Sequence, residues 1–210
     1  MGHRTRVVGS VAAALLGLSL AASGEEAKRP TLAVLAYNYA AVPADTMQQA
    51  SEKVAQILRD VGVEIVWIEP LADSRRTTIN PSSNVLQMFT VQLLIRQTNV
   101  SRRSSTPESV MGSALAADDH GGTVSLFYDE VLRTRRQYSQ PLRDILALAI
   151  AHEIGHVLLP FPAHSPTGVM RSAWNGDDIR HAIVGSLGFT TAQGASIRLR
   201  VDGCCREGAK

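Results

Sequence analysis

Ala151-His-Glu-Ile-Gly-His156 is the stretch that decides the fold and the chemistry, and it lies inside an apolar run from Ile145 to Leu159. On a helix with 3.6 residues per turn, side chains four positions apart project from one face. His152 and His156 can therefore bind one metal ion, and Glu153 lies on the flank of that face, within reach of a water held by the metal. This H-E-x-x-H pattern indicates two imidazole ligands for zinc and a carboxylate as general base.

The alternative for this stretch is a buried helix carrying two hydrogen-bonded histidines without a metal. In that case Glu153 would lie between two histidines in an otherwise apolar helix. An unpaired buried charge is costly, so the carboxylate would need a partner. A metal supplies that partner, and the pattern favours a metal site.

A third ligand must come from outside the helix, because a catalytic zinc site has three protein ligands and one open position. His164 is the best candidate, since it follows His156 by eight residues and Pro160 ends the helix between them. An ordinary loop role for His164 is the alternative. The other candidate ligands are His120, His181, Asp177 and Asp178, although a helix-capping role also fits the two aspartates.

The first 23 residues have the pattern of a signal peptide. A basic start with Arg4 and Arg6 precedes an apolar run over 7–20 and then small residues. The apolar run is short for a membrane span, so we expect no stable membrane insertion after the signal is removed. The sequence predicts export, to the periplasm or the medium.

The balance of basic and acidic residues does not indicate nucleic-acid binding, so we expect no nucleic-acid partner. The chain has 21 basic and 19 acidic residues, and removing Arg4 and Arg6 with the signal leaves 19 against 19. The remaining arginine pairs are dispersed among polar residues, which is typical of solvated surface rather than of a basic binding stripe. Cys204 and Cys205 are adjacent, a spacing that rarely gives a relaxed disulfide, so no disulfide scaffold is expected.

Hydrophobic patterning predicts one α+β domain over 31–203, after a linker at 24–30 and before a flexible tail at 204–210. A strand over 31–37, a helix over 43–60 and a strand over 63–68 indicate a βαβ unit with parallel strands. Strands are also predicted over 86–96 and 123–128, while 110–116 fits either a short strand or a helical turn. The helices predicted beyond these strands cover 141–159, 179–187 and about 190–201.

The motif, the nearby His164 and the later Met170 resemble the metzincin clan of zinc peptidases, matrixins included. The resemblance implies a zincin-like fold, with a mixed, mostly parallel twisted sheet, an antiparallel edge strand and a small C-terminal helical part. It also implies that His152, His156 and His164 bind zinc and that Glu153 is the general base. Met170 would form the floor of the site. The edge strand that pairs with substrate would be Gly112, Ser113, Ala114, Leu115 and Ala116.

Two departures from the clan pattern predict a different turn after the helix. His164 falls two residues later than the third histidine of the clan, and Leu159 with Pro160 replaces the glycine that lets the chain turn. Met170 also follows sooner, six residues after His164. We therefore expect a metzincin-like site with an enlarged loop between the second and third histidines.

The function that we expect from these residues is hydrolysis of peptide bonds in peptide or protein substrates by an exported zinc-dependent peptidase. Glu153 would take the proton of a water held by the zinc and return it to the leaving amine. One alternative is a non-catalytic exported zinc-binding protein with a zincin-like fold. Another is an interaction domain without a metal.

Overall fold

The computed structural model describes residues 29–68, 88–97, 110–117 and 120–207. The predicted signal peptide at 1–23, most of the 24–30 linker and the polar loop at 70–84 lie outside the described residues. The fold is α+β, with one five-stranded sheet and five helices in the described part of the chain.

The sheet is mostly parallel and ends on one antiparallel strand. Strands β1 (Thr31–Asn38), β2 (Glu64–Ile68), β3 (Phe89–Arg96) and β5 (Gly121–Phe127) run parallel to one another, whereas β4 (Gly112–Ala116) runs antiparallel to β5. The order across the sheet is β2-β1-β3-β5-β4, so β4 forms an edge.

Burial in the strands follows the apolar patterns that predicted them. In β3, alternate apolar residues from Phe89 to Ile95 are fully buried, while Gln92 and Arg96 are exposed. This period of two is what a strand with one face in the core requires. The segment over 110–116, which local patterning left open, forms the strand β4 because it can pair with β5 from Gly112↔Leu126 to Ala116↔Gly122.

Helix α1 (Ala44–Asp60) confirms the first helical prediction almost to the residue. It begins after Pro43 and ends near Gly62, whose φ of +81° is the left-handed conformation typical of a glycine that terminates a helix. The helices are α1 (Ala44–Asp60), α2 (Tyr128–Tyr138), α3 (Leu142–Leu158), α4 (Gly176–Ile183) and α5 (Thr191–Glu207).

Helix α3 carries the H-E-x-x-H motif and is the most buried helix of the fold. It contacts the four other helices and also strands β4 and β5. Residues 144–155 are all buried, as expected for a helix that is apolar all round. Pro141 occupies the N-cap, and the helix ends at Leu158 before Pro160. Within the described ranges, no helix is long and apolar enough to cross a membrane.

Helix α2 is absent from the sequence prediction, which assigns Tyr128 to the end of the preceding strand and expects no helix between that strand and Pro141. This assignment was wrong, since the strand ends at Phe127 and Tyr128 begins α2. The helix is short and polar, and it buries only Tyr128, Val131 and Thr134. Three buried residues, spaced three apart, give too weak an apolar pattern for the helix to be identified from the sequence.

The two C-terminal helices exist as predicted but end elsewhere. Helix α4 stops at Ile183 instead of Leu187, and α5 continues to Glu207, past the predicted end near Val201. Because α5 ends later than predicted, residues 204–207 of the predicted tail are helical. Asn175 caps α4 through a capping box with Asp178, as the local sequence indicated.

A buried ion pair joins α1 to α3. Lys53 Nζ lies 2.6 Å from Asp144 Oδ1 and donates a hydrogen bond to the Ile183 carbonyl at 3.1 Å. The side chain of Asp144 is only 5% exposed and that of Lys53 is 20% exposed. Removing the lysine would therefore leave a buried carboxylate without its main counter-charge.

We expect Lys53→Met to lower the free energy of unfolding by about 2 kcal/mol, measured by urea denaturation. This is less than the roughly 3–5 kcal/mol typical of a broken buried pair, because the lysine is partly exposed and Arg143 Nε lies 3.9 Å from Asp144. Arg29→Met, which removes the exposed pair with Glu64, is the control and should cost less than about 1 kcal/mol. Equal losses in the two variants would contradict a buried-charge explanation.

Candidate metal centre

Helix α3 brings the first two histidines together. The Nε2 atoms of His152 and His156 lie 3.1 Å apart, and the two rings are nearly perpendicular at a centroid distance of 4.7 Å. Two nitrogens that each lie about 2.0–2.1 Å from a tetrahedral ion are separated by roughly 3.3 Å. The helix thus holds both nitrogens at the spacing that one ion requires.

His164 joins this pair from the loop after the helix. Its ring centroid lies 5.4 Å from that of His152 and 4.8 Å from that of His156. The ligand atoms of the three histidines all lie within 4.8 Å of one another, so they can hold a metal ion. His152 is buried, His156 is half-buried and His164 is exposed, and the site therefore opens to solvent on the His164 side.

The other candidate ligands do not join this group. Asp178 pairs with Arg171 and caps the start of α4, while Asp177 pairs with Arg180. Among the described residues, the metal-binding group contains neither these aspartates nor His120 and His181. Three protein ligands with solvent on one side fit a site that keeps a coordination position open.

A backbone carbonyl fixes the orientation of His152. Its Nδ1 lies 2.8 Å from the Val169 carbonyl oxygen, which can only accept, so Nδ1 carries the proton and Nε2 is left for the metal. The Trp174 indole donates to the same oxygen at 3.2 Å, and its ring meets His152 edge-on at 5.2 Å. The carbonyl and the indole together define the tautomer and the plane of the ligand.

The first two histidines are neutral at physiological pH before any metal binds. Burial lowers the pKa of His152. Burial, followed by the nearby His152 and His164, lowers the pKa of His156 to about 4. Since a metal binds the neutral imidazole, these two ligands need lose no proton on binding at pH 7.

Met170 is fully buried beneath α3, at Gly155. A Cβ on Gly155 would lie 2.3 Å from Met170 Sδ and 2.9 Å from a ring carbon of Phe189. Ser165 N donates to the Met170 carbonyl at 2.9 Å, which ties the loop carrying His164 to the residue under the helix. The small residue between the two helical histidines thus lets Met170 support the site.

We expect Gly155→Ala to destabilise the protein by about 1–2 kcal/mol, because the overpacking cost exceeds the helix-propensity gain of alanine. Thermal unfolding of the metal-free protein measures the change. Gly203→Ala is the matched control, since Gly203 is an exposed glycine inside α5 with no atom within 4 Å of an added Cβ. The control should be neutral or more stable, and the same behaviour in both variants would argue against a steric role for Gly155.

Glu153 is buried beside the metal ligands but does not belong to them. Burial raises the pKa of its carboxyl to about 7. The side chain lies against β4, where a Cβ on Gly112 would come within 2.7 Å of Glu153 Cγ and 2.9 Å of Oε1. In the described part of the chain, no hydrogen bond or ion pair engages this carboxylate, which leaves it available to accept a proton.

Strand β4 runs beside the motif as an exposed edge. Ser113, Leu115 and Ala116 are exposed, with Leu115 72% exposed, while Gly112 is buried against Glu153. In the described sheet β4 pairs only with β5, so its other side offers backbone groups to an added strand.

A cavity of about 190 Å³ opens next to His152 and Glu153. Helix α2 and the segment after Met170 provide much of its wall, and neither region was recognised as functional from the sequence. The walls include Met111, Thr134, Gln137, Tyr138, Arg171 and Trp174. No local motif marks these residues. Packing of α2 against α3 brings Thr134, Gln137 and Tyr138 to the site, whereas Arg171 and Trp174 follow Met170 and Met111 precedes β4.

Comparisons with known proteins assign no family. No protein-family model and no curated protein matches the chain. A solved structure that resembles it is the solution structure of TM1509 from Thermotoga maritima, with a TM-score of 0.33 and 10% sequence identity over 84% of this chain and 93% of that one. A likeness this weak bears neither on the fold family nor on the function.

Proposed function

We propose that this protein is an exported, metzincin-like zinc peptidase. The observation that carries the proposal is the convergence of His152, His156 and His164, with the buried carboxylate of Glu153 beside them and outside the ligand set. A structural metal site has no need of such a carboxylate. The mostly parallel sheet with the antiparallel edge strand β4 is compatible with a zincin-like fold.

Zinc fits the donor set of this site. Three neutral imidazoles are a common ligand set of catalytic zinc, and they leave a fourth position for water or substrate. A bound zinc ion would supply Lewis-acid activation of water and of the scissile carbonyl. The hydrogen bond from His152 Nδ1 to Val169 is the support that metal-binding histidines typically have.

In the proposed reaction Glu153 moves the proton. Its carboxylate takes a proton from the attacking water and then delivers it to the nitrogen of the leaving amine. In the metal-free protein burial raises the pKa of this carboxyl to about 7, and a general base acts best when its pKa lies near the working pH.

The substrate would lie along β4 in an extended conformation. The side of Gly112–Ala116 that pairs with no strand of the described sheet offers hydrogen bonds to the substrate backbone that do not depend on side-chain identity. Because Gly112 touches Glu153, a chain paired with this edge would pass close to the general base. We propose peptides or proteins as substrates, and not nucleic acid.

The test combines metal analysis with proteolysis. Purified protein should contain about one zinc per chain and hydrolyse casein, and a chelator should stop hydrolysis until zinc is restored. Zinc binding without hydrolysis of casein or of a peptide library would support the non-catalytic alternative instead. Absence of bound zinc would refute both. N-terminal sequencing of the exported protein, with a start near Gly24, tests the signal peptide.

A further inference from the structure

The lining of the cavity beside Glu153 is partly apolar and partly polar. Met111, Ala149 and Trp174 provide apolar surface, whereas Thr134, Gln137 and Arg171 provide hydrogen-bonding groups. At about 190 Å³ it is smaller than the roughly 300–1,000 Å³ typical of pockets for drug-sized ligands. Its size suits a single side chain of a longer substrate.

Arg171 is the cation of this cavity, and it is held in place from behind. Its Nη1 donates to Asp178 Oδ2 at 2.9 Å, and the same oxygen accepts the Asn175 backbone N–H at 2.9 Å. Arg171 lines the cavity and Asp178 does not. The aspartate therefore fixes the guanidinium without presenting its own charge to the cavity.

Most of the hydrogen-bonding capacity of Arg171 is still unused. A guanidinium has five N–H donors in a planar fork, and within the described ranges Arg171 donates side-chain hydrogen bonds only to Asp178. Its side chain is 37% exposed, so the remaining donors are accessible. An arginine that is anchored at one nitrogen and free at the others is preorganised to bind a planar carboxylate.

Two further lining residues, Tyr138 and Trp174, are also held by hydrogen bonds. The Tyr138 hydroxyl donates to the Trp174 carbonyl at 3.1 Å, and the Trp174 indole donates to the Val169 carbonyl that orients His152. The cavity wall and the metal ligand thus share one hydrogen-bonded frame. A side chain held in the cavity would fix the position of the adjoining peptide bond relative to Glu153.

Resting on the proposed peptidase function, we propose that this cavity binds the substrate residue next to the scissile bond and that Arg171 makes it select a carboxylate. The carboxylate belongs to an aspartate or glutamate side chain or to the free C-terminus of a short peptide. Thr134 and Gln137 add neutral donors to the lining of the cavity. Lysine at the same position would place a like charge beside Arg171, so a Lys peptide should be cleaved more slowly than the Glu peptide even though the Glu153 carboxyl also lines the cavity.

The test begins with a bond that the wild-type protein cleaves in casein, identified by mass spectrometry. Peptides built on this site carry Glu, Gln or Lys at each of the two residues that flank the bond. We expect kcat/KM for Glu to exceed that for Gln by about ten- to a hundredfold at one of the two positions, as for a hydrogen bond to a charged group. Peptides that end one residue after the bond, with either a free or an amidated C-terminus, distinguish the two sources of the carboxylate.

The variant Arg171→Met/Asp178→Asn removes both charges together, so that no buried aspartate is left unpaired. It should reduce the ratio of Glu to Gln to less than about threefold while the Gln peptide is still cleaved. Arg180→Met/Asp177→Asn is the matched control, because it removes an exposed arginine–aspartate pair on α4, outside the cavity. The control should keep the wild-type ratio. Calorimetric binding of the intact peptides to zinc-loaded Glu153→Gln protein should show the same preference without turnover.

The outcomes separate this inference from the proposed function. Cleavage of the Glu, Gln and Lys peptides at equal rates, or a Glu preference that survives the loss of Arg171, would overturn the selectivity and leave the peptidase intact. Failure of the wild-type protein to cleave casein or any peptide would reject the peptidase, and the selectivity with it.

Discussion

Glu153→Gln is expected to lower the rate of peptide hydrolysis by about a thousandfold or more while the protein still binds zinc. Gln keeps the shape of the side chain but cannot accept the proton of the attacking water, and positioned general bases typically contribute about a hundredfold to ten-thousandfold. The ligand atoms belong to the three histidines, so the substitution leaves the metal-binding group intact. Initial rates on a casein-derived peptide and zinc content by elemental analysis measure the two effects.

Glu52→Gln is the matched control for this experiment, because Glu52 is exposed on α1 and contacts Gln48. It should retain full activity. Hydrolysis by Glu153→Gln at a rate near that of the control would remove Glu153 as the base. Loss of zinc together with activity would instead mean that the carboxylate supports the metal.

The same substitution is expected to stabilise the metal-free protein at high pH, by about 3 kcal/mol at pH 8. Burial raises the pKa of Glu153 from 4.5 to about 7, and each pKa unit corresponds to about 1.4 kcal/mol. The native state holds this proton more tightly than the unfolded chain, so wild-type stability falls as the pH rises from 4.5 through 7. Gln carries no charge, so its burial does not lower the stability as the pH rises.

Urea denaturation with chelator present, at pH 5 and pH 8, measures the effect. The difference between wild type and Glu153→Gln should be small at pH 5 and close to its full size at pH 8. Other titrating groups contribute equally to both proteins and largely cancel in this difference. A difference that does not change with pH would show that the carboxyl is not desolvated. Destabilisation at pH 8 would mean that the carboxylate has a favourable partner.

Together these two results would show that the functional site lowers the stability of the metal-free fold. A carboxylate held in a buried position destabilises the metal-free fold, yet the same burial sets its pKa close to neutrality. The fold accommodates the side chain by placing Gly112 against it, since a larger residue there would collide with Glu153. Gly155 makes the corresponding space for Met170 on the same helix.

Local patterns were sufficient for the elements with a strong apolar period. β3 alternates along a half-buried strand, α1 has a wide apolar face between Pro43 and Gly62, and α3 is apolar on all sides. Such patterns arise because each residue must match the burial of its own position. Helix α2 could not be predicted in this way, because it buries only three residues and is otherwise polar.

The sequence by itself determined the pair His152 and His156 with Glu153 between them, because helical geometry alone places side chains four residues apart on one face. His164 was a candidate among several, and only the turn after Pro160 brings its ring within 4.8 Å of His156. The burial of Glu153, the Val169 carbonyl that orients His152 and the cavity with Arg171 were decided by tertiary structure. They depend on contacts between segments far apart in the chain, whereas local sequence constrains only neighbours along one helix or strand.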